Sequence, residues 1–467
     1  MAKKTVQVGL LGLGTVGAGV CRLLQMNSEQ INRRAGARIE IKKILVRDKK
    51  RKREAAVAPQ LLTTDPQEIL RDPAIDVIIE LIGGVQEAHT HITEALRHKK
   101  FVITANKDLM ATAGADLLAL AREKGLNIYY EASVGGGIPL IRPLKYSLGA
   151  NRIERIMGII NGTTNYILTK MSLEGMDFDT ALAEAQAKGF AEQDPANDLE
   201  GTDAAYKLCI LAGLAFNSRV RFEDIHVQGI GGINQRDVFY ARELGFGIKL
   251  LAIGEEIAAP AAAAFDPATG AASASEAESD SRSGSAASSG PSTLPGRLAL
   301  RVHPALLPLT HPLASVLYEN NALFVVGNAV GEVMFYGAGA GALPTASSVV
   351  ADLIDAVRNI NHEVENGIME ADFQPKKFVP KEALFSAFYL RLQAKDEPGV
   401  FASLATAFGQ EGVSLDMILQ KRSIAGIAEI VLVTHEVEEK NFNRALGRIQ
   451  KTPAIKELNS VLRVIGK

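Results

Sequence analysis

The tightest constraint on this chain lies close to its N-terminus. An apolar run over residues 5–11 meets Gly12-Leu13-Gly14-Thr15-Val16-Gly17, and a helical pattern follows over residues 16–25. In a strand–G-x-G-x-x-G–helix unit the first glycine permits a tight turn. The second lets backbone approach a pyrophosphate, and the third lets the helix pack on the strand. The helix N-terminus then presents unpaired N–H groups and a partial positive charge, which suit a bound phosphate. Apolar strands recur at residues 39–46, 77–81, 100–104 and 127–131, separated by helical patterns. That alternation predicts an α/β fold, a Rossmann doubly wound parallel sheet over residues 1–135 that binds a nicotinamide dinucleotide through Gly12, Leu13, Gly14, Thr15, Val16 and Gly17. The end of the second strand should read the adenosine ribose. Arg47 stands there with a basic run to Arg53 behind it and favours NADP, whereas Asp48 keeps NAD open.

A chain of 467 residues is too long for one core, and two to four domains are expected. Formal charge is 51 − 53 = −2, which argues against a nucleic acid or a polybasic membrane contact. Cys21 and Cys209 are far apart and fit neither a zinc spacing nor a disulfide framework, as in a reducing compartment. Residues 1–4 run straight into a strand, without a signal peptide, and no apolar stretch is long enough to span a bilayer. A cytoplasmic protein is expected.

Residues 136–365 mix helical patterns (179–188, 202–215) with β-type runs (249–254, 298–303, 323–326), predicting an α+β domain with a more antiparallel sheet. Between 258 and 296 Ala, Ser, Gly and Pro dominate, and Phe265 and Leu294 are the only large apolar side chains. Such a tract cannot offset its ordering entropy and is expected to be a disordered insertion decorating a hairpin. After a linker marked by Pro375, Lys376, Lys377 and Pro380, residues 384–467 read strand–helix–strand–strand–helix–strand, the ferredoxin-like order.

Four longer motifs carry the chemistry. They are Thr104-Ala105-Asn106-Lys107, Glu131-Ala132-Ser133-Val134-Gly135-Gly136-Gly137-Ile138-Pro139, Asn161-Gly162-Thr163-Thr164-Asn165, and Gly189-Phe190-Ala191-Glu192-Gln193-Asp194-Pro195 leading through Asn197-Asp198-Leu199-Glu200-Gly201-Thr202-Asp203 to Lys207. In this order, over residues 5–365, they strongly resemble the homoserine dehydrogenase family. The tail, with Lys395-Asp396-Glu397-Pro398-Gly399, resembles the ACT regulatory domain that many bacterial members append. The Ala/Ser tract departs from the family pattern without touching a motif.

The resemblance implies reversible reduction of L-aspartate 4-semialdehyde to L-homoserine with NAD(P)H, in the biosynthesis of threonine, methionine and isoleucine. Lys207 would protonate the nascent alkoxide. Asp203, at i, i+4 from it on a helical pattern and so on the same face, would bind substrate polar groups. Glu192 would bind the substrate ammonium, and Asp198 would orient a water or the donor lysine. Lys107, at a strand's C-terminal end, would touch either the nicotinamide or the substrate, and Gly189 and Gly341 would contact the cofactor. Backbone carbonyls of Glu131, Val134, Gly136 and Ile138 would hold a monovalent cation, commonly sodium. Threonine is the effector expected for the ACT domain, and a homo-oligomer the expected assembly. Two other readings are an aspartate-semialdehyde dehydrogenase, which needs a cysteine nucleophile in an accessible site, and a non-catalytic dinucleotide sensor, which does not need Lys207 against Asp203.

Overall fold

The computed structural model describes residues 3–51, 57–257, 296–362, 373 and 375–466. Residues 258–295 of the Ala/Ser tract and the end of the basic run, Lys52-Arg53, lie outside them. The N-terminal sheet has six strands: β1 (Thr5–Leu11), β2 (Arg38–Leu45), β3 (Leu62–Thr63), β4 (Val77–Glu80), β5 (Phe101–Thr104) and β6 (Ile128–Tyr129). All pair in parallel, in the order β3-β2-β1-β4-β5-β6. The order reverses between β1 and β4, and the crevice beyond their C-terminal ends is where open α/β sheets bind ligands. Both faces of the sheet are covered, so β4 reads Val77-Ile78-Ile79 without polar interruption.

One cover comes from far downstream. Ala342–Asn361 forms a 20-residue helix that packs chiefly on helix Thr15–Met26 and buries Val349, Val350 and Leu353 in the same core as Val6, Val8 and Leu10 of β1. Residues 136–365 are expected to form the second domain, and this helix at their end places its apolar stripe in the first core.

The second sheet is mixed and has twelve strands. Phe246–Ile257 pairs antiparallel with Arg297–Pro308, and Ile257 stands opposite Arg297, so the described ends of the Ala/Ser tract are neighbours across a ladder. Ile153–Ile159, Asn320–Gly327 and Gly331–Ala338 extend this sheet on one side. On the other side Ala305 and Leu306 pair in parallel with Arg463 and Val464 of Ile455–Val464, the last strand of the C-terminal module. That module adds Phe385–Lys395, Ile427–Thr434 and Leu415–Ile424, all antiparallel, with helices Val400–Gly409 and Glu439–Gln450 over one face. The βαββαβ order expected from sequence is therefore present, and its sheet continues into that of the middle segment. The strands outrun their apolar signals, as when 249–254 becomes Phe246–Ile257, because partner strands supply hydrogen bonds beyond the apolar run. No described helix is long and apolar enough to cross a membrane.

Candidate active site

The glycine turn has the spatial requirements its spacing suggests. A Cβ on Gly12 (φ +102°) would lie 2.6 Å from the Leu81 carbonyl oxygen, and one on Gly17 2.3 Å from the Gly12 carbonyl oxygen. A Cβ on Gly14 would meet nothing within 4 Å, so that position is open to a ligand rather than to packing. Gly14 also caps the N-terminus of helix Thr15–Met26 without any side-chain acceptor, which leaves its first N–H groups available. A cleft of about 630 Å³ runs over this turn, lined by Gly12, Leu13, Gly14, Thr15, Arg47 and Asp48. Its volume suits a cofactor site. Val16 packs on the core beneath the cleft rather than lining it. Arg51, from the basic run, joins Arg47 at the ribose end. The turn after β4 is held by Glu80, whose buried carboxylate accepts from the Ile82 and Gly83 amides and from the Thr104 hydroxyl.

The second cluster forms where three helices begin. Asn161 caps helix Gly162–Glu174, Gly201 caps Thr202–Ala215, and Asn106 caps Lys107–Glu123. Helix N-termini favour anions, and the acids gather here. Lys207 Nζ donates to Asp203 Oδ2 at 2.6 Å and to the Ile160 carbonyl at 2.8 Å. Lys107 Nζ lies 3.3 Å from Asp203 Oδ1, so one carboxylate bridges two ammonium groups. Asn161 Nδ2 donates to both Asp198 Oδ1 (2.7 Å) and Asp203 Oδ2 (2.8 Å). The Thr163 hydroxyl sits 3.1 Å from Asp198 Oδ2 and 2.6 Å from the Phe190 carbonyl. Asn161 and Thr163 had no role in the sequence expectation beyond membership of a motif. An Asn that caps a helix and sits in a glycine-threonine run was the available signal.

Burial and charge pull the two acids apart. Burial alone would raise the Asp203 carboxyl, but the charges of Lys207 and Lys107 outweigh it and hold it at about 2. At Asp198 burial prevails, and its carboxyl rises above the ordinary carboxylate range despite hydrogen bonds from Asn161 and Thr163. Burial lowers Lys107, yet Asp203 and Asp108 more than compensate and its ammonium is stabilised. Adjacent groups driven in opposite directions mark sites of proton handling.

The structure distributes the remaining expected residues unevenly. Glu192 and Gly189 lie on an exposed loop that is tied to the cluster only through Phe190 and Thr163, and no described contact brings the Glu192 carboxylate to Lys207 or Asp203. The Glu131 carboxylate accepts from the amides of Leu140, Ile141 and Arg142, which leaves its backbone carbonyl as the atom a cation would use. Val134 and Ile138 are buried in the same turn, and the Gly136 carbonyl already takes the Ser348 hydroxyl at 2.6 Å. Gly341 caps helix Ala342–Asn361, and Gly19 of the first helix packs directly on the Ala342 carbonyl. The Gly337–Gly341 stretch thus sits between the phosphate-facing helix and the Gly135–Ile138 turn. Cys21 and Cys209 are both buried, with thiols pushed up to about 11 and about 12, chiefly by that burial. Neither can serve as an activated nucleophile, which disposes of the acylating reading.

A dinucleotide crevice at the switch point of a Rossmann sheet, tied to a buried lysine–carboxylate cluster through Asn106, which caps the Lys107 helix and donates to the Gly84 carbonyl beyond β4, defines a nicotinamide-dependent oxidoreductase. Residues 12–131 match the family described as homoserine dehydrogenase, NAD binding domain, residues 139–354 match homoserine dehydrogenase, and 388–454 match the ACT domain. The homoserine dehydrogenase of Synechocystis is 43% identical over 466 residues, 99% of this chain and 100% of that protein. A crystal structure of the enzyme from Thiobacillus denitrificans superposes with a TM-score of 0.85 at 39% identity, covering 99% of both chains. A hyperthermophilic archaeal homoserine dehydrogenase in complex with NADPH superposes at 0.57 and 25% identity, over 75% of this chain and 97% of that one. The chain belongs to the homoserine dehydrogenase family and is an NAD(P)-dependent oxidoreductase with a C-terminal ACT domain.

Proposed function

We propose that Lys207 is the proton donor and acceptor in the reversible interconversion of L-aspartate 4-semialdehyde and L-homoserine. The observation that carries this is the pinning of its ammonium between Asp203 and the Ile160 carbonyl, which aims one of its three protons away from protein acceptors. The nicotinamide supplies or accepts the hydride when bound. Lys207 delivers the proton to the alkoxide oxygen in reduction and withdraws it in oxidation. Asp203 holds Lys207 and Lys107 at fixed separation and accepts from the substrate's polar groups. Asp198, steadied by Asn161 and Thr163, orients a water or the donor lysine. Glu192 takes the substrate ammonium at the rim, since an ionised carboxylate complements it.

The cofactor in this reading is NADP, with its 2′-phosphate on Arg47, as the NADPH of the archaeal relative supports. Gly12–Gly17 cradle its pyrophosphate, while Lys107, Gly189 and Gly341 approach its nicotinamide half. A monovalent cation, Na⁺ in this reading, sits on the carbonyls of Glu131, Val134, Gly136 and Ile138. That donor set is uncharged, and no group of three or more acidic, His or Cys side chains fit for a metal occurs among the described residues. Threonine binds through the ACT domain and inhibits, and the enzyme is a cytoplasmic homo-oligomer. Residues 1–135, 136–365 and 384–467 act as its cofactor, catalytic and dimerisation, and regulatory domains.

The test is spectrophotometric. Homoserine with NADP should generate NADPH absorbance, and absence of turnover with either nicotinamide would sink the reading. Arg47→Ala should raise KM for NADP about 10- to 100-fold, the worth of a charge-assisted hydrogen bond, and leave KM for NAD in place.

A further inference from the structure

Glu80 and Thr104 stand at the ends of two neighbouring strands, and neither carries a step of the proposed chemistry. They are the last residues of β4 and β5, lie opposite each other in the parallel register, and are fully buried. A carboxylate so placed is costly unless donors surround it. Oε1 of Glu80 accepts from the Ile82 amide at 2.9 Å and from the Gly83 amide at 3.3 Å. Oε2 accepts from the Thr104 hydroxyl at 2.6 Å. Burial raises this carboxyl above the ordinary value, and the same donors oppose the rise. The donors come from two different segments of chain.

One segment is the turn after β4. Leu81 and Ile82 line the dinucleotide cleft, and Gly12 of the phosphate turn packs on the Leu81 carbonyl. Gly83 and Gly84 have left-handed φ values of +72° and +71°, and a Cβ on either would meet nothing within 4 Å. Side-chain packing does not hold these two glycines; the Glu80 carboxylate holds the turn by taking two of its amides. The other segment is the start of the Lys107 helix. The Thr104 hydroxyl has one proton, which goes to Glu80, so its oxygen is left to accept from the Asn106 amide at 3.0 Å. Asn106 in turn accepts from the Leu109 amide at 3.0 Å and gives Nδ2 to the Gly84 carbonyl at 2.5 Å. The direction of these bonds asks for an acceptor-only group at position 80, which an ionised carboxylate supplies. Lys107 opens that helix, and its Nζ lies 3.3 Å from Asp203.

We infer that Glu80 and Thr104 are positioning residues: they hold the cleft-lining turn and the Lys107 helix in one frame, so that a dinucleotide seated on the turn sets Lys107 for the substrate. The inference rests on the proposed reading of Lys107 and of homoserine as substrate. Thr104→Val keeps the size and β-branching of the side chain and deletes the hydroxyl, and Thr104→Ser restores it. Glu80→Gln turns a donor toward Thr104 and should behave like Thr104→Val. NADPH and homoserine are both reduced, so their ternary complex does not turn over and binding is read by itself. NADPH fluorescence is titrated on the full-length enzyme with and without saturating homoserine. In the wild type homoserine should tighten NADPH binding about fivefold or more, an ordinary coupling between two sites. In Thr104→Val the factor should fall below about twofold, with NADPH affinity in the absence of homoserine within about threefold of wild type. Thr104→Ser should keep most of it. A merely structural role would lower the thermal midpoint of Thr104→Val and leave the factor intact, and that result overturns the inference. So does a wild type that binds NADPH no tighter with homoserine. A wild type that does not turn over homoserine with NADP defeats the functional reading itself; normal turnover with an unchanged factor in Thr104→Val and Glu80→Gln removes the positioning role alone.

Discussion

Two buried ion clusters in this protein use the same charges for opposite purposes. At the proposed catalytic site Asp203 and Asp198 are set against the ammonium groups of Lys207 and Lys107. At the junction with the ACT module Asp237 and Glu429 are set against the guanidinium groups of Arg391 and Arg236. Arg391 Nε meets Asp237 Oδ1 at 2.7 Å and Nη1 meets Glu429 Oε1 at 3.2 Å, while Tyr240 donates to Glu429 at 2.6 Å. Arg391 is 2% exposed and Asp237 0%; side chains of Lys207 and Lys107 keep 14% and 33%. Glu429 is held below the ordinary range by Arg236, Tyr240 and Arg391 despite burial, whereas Asp198 rises above it. The closed cluster is complete and built on a cation that cannot lose its proton. The open one is incomplete and built on cations that can. The choice of lysine or arginine, more than burial, separates the place where the proposed mechanism moves a proton from the place where two segments are held together.

The sharpest way to break that contrast is to exchange the cations. Lys207→Arg keeps the charge beside Asp203 but removes the transferable proton. We expect kcat to fall about 10²- to 10⁴-fold with NADP affinity retained, as for loss of a general acid. Turnover near the wild-type level would return Lys207 to the role of a salt-bridge partner. The counterpart is Arg391→Met, which strands the Asp237 carboxylate in the interior. It should cost about 3–5 kcal/mol, read from urea midpoints, and leave turnover per folded molecule within about twofold. Restoring part of that loss by adding Asp237→Asn would show that the stranded charge was its source.

A smaller effect follows from the opposed acids. Asp203 is depressed, from 3.8 to about 2. Its contribution to stability is therefore present above pH ~4 and is lost as pH falls toward ~2. By that shift it is on the order of 2 kcal/mol. Asp198 is raised, so the native state binds its proton first, and this acid's cost to stability is relieved as pH falls through the raised value. Urea midpoints from pH 5 to pH 3 should show the penalty of Asp203→Asn shrinking with acid, and the benefit of Asp198→Asn doing the same. A pH-independent difference for either variant would mean that the two carboxyls are not driven apart.

The first of the two functional regions was far more legible in the sequence than the second. The phosphate cradle is local, because Gly12, Gly14 and Gly17 sit within one turn and their spacing states their roles. The catalytic cluster is not local. Asn161 reaches Asp203 across 42 positions and Thr163 reaches Asp198 across 35, so no periodicity could pair them. Family likeness brought Lys207 and Asp203 forward, while Asn161 and Thr163 stayed within a motif without a role. Helix Ala342–Asn361 was missed as part of the first core for a related reason. Its Pro344-Thr345 and Ser347-Ser348 pairs are weak helix formers, and packing against helix Thr15–Met26 decides its fate. The ACT junction left no sequence mark at all, since Arg391 and Asp237 lie 154 residues apart.

The smallest expected effect is none, and it tests the contrast from outside. Cys21 and Cys209 are buried titratable groups without a compensating cation to hold their charged form. Burial raises both, and the Asp224 and Glu223 charges raise Cys209 further. At about 11 and about 12 the thiolate fraction near neutral pH is negligible, and the thiolate is the reacting species. Iodoacetamide on the folded enzyme at pH 7.5 should therefore leave activity unchanged over hours, with alkylation appearing only after denaturation. Cys209 lies two residues beyond Lys207 on one helix, so it is a stringent probe of whether that helix opens. Rapid inactivation that NADP prevents would mean that the Thr202–Ala215 helix exposes its buried face in the free enzyme. The lysine–aspartate pair would then be assembled by the cofactor rather than preformed.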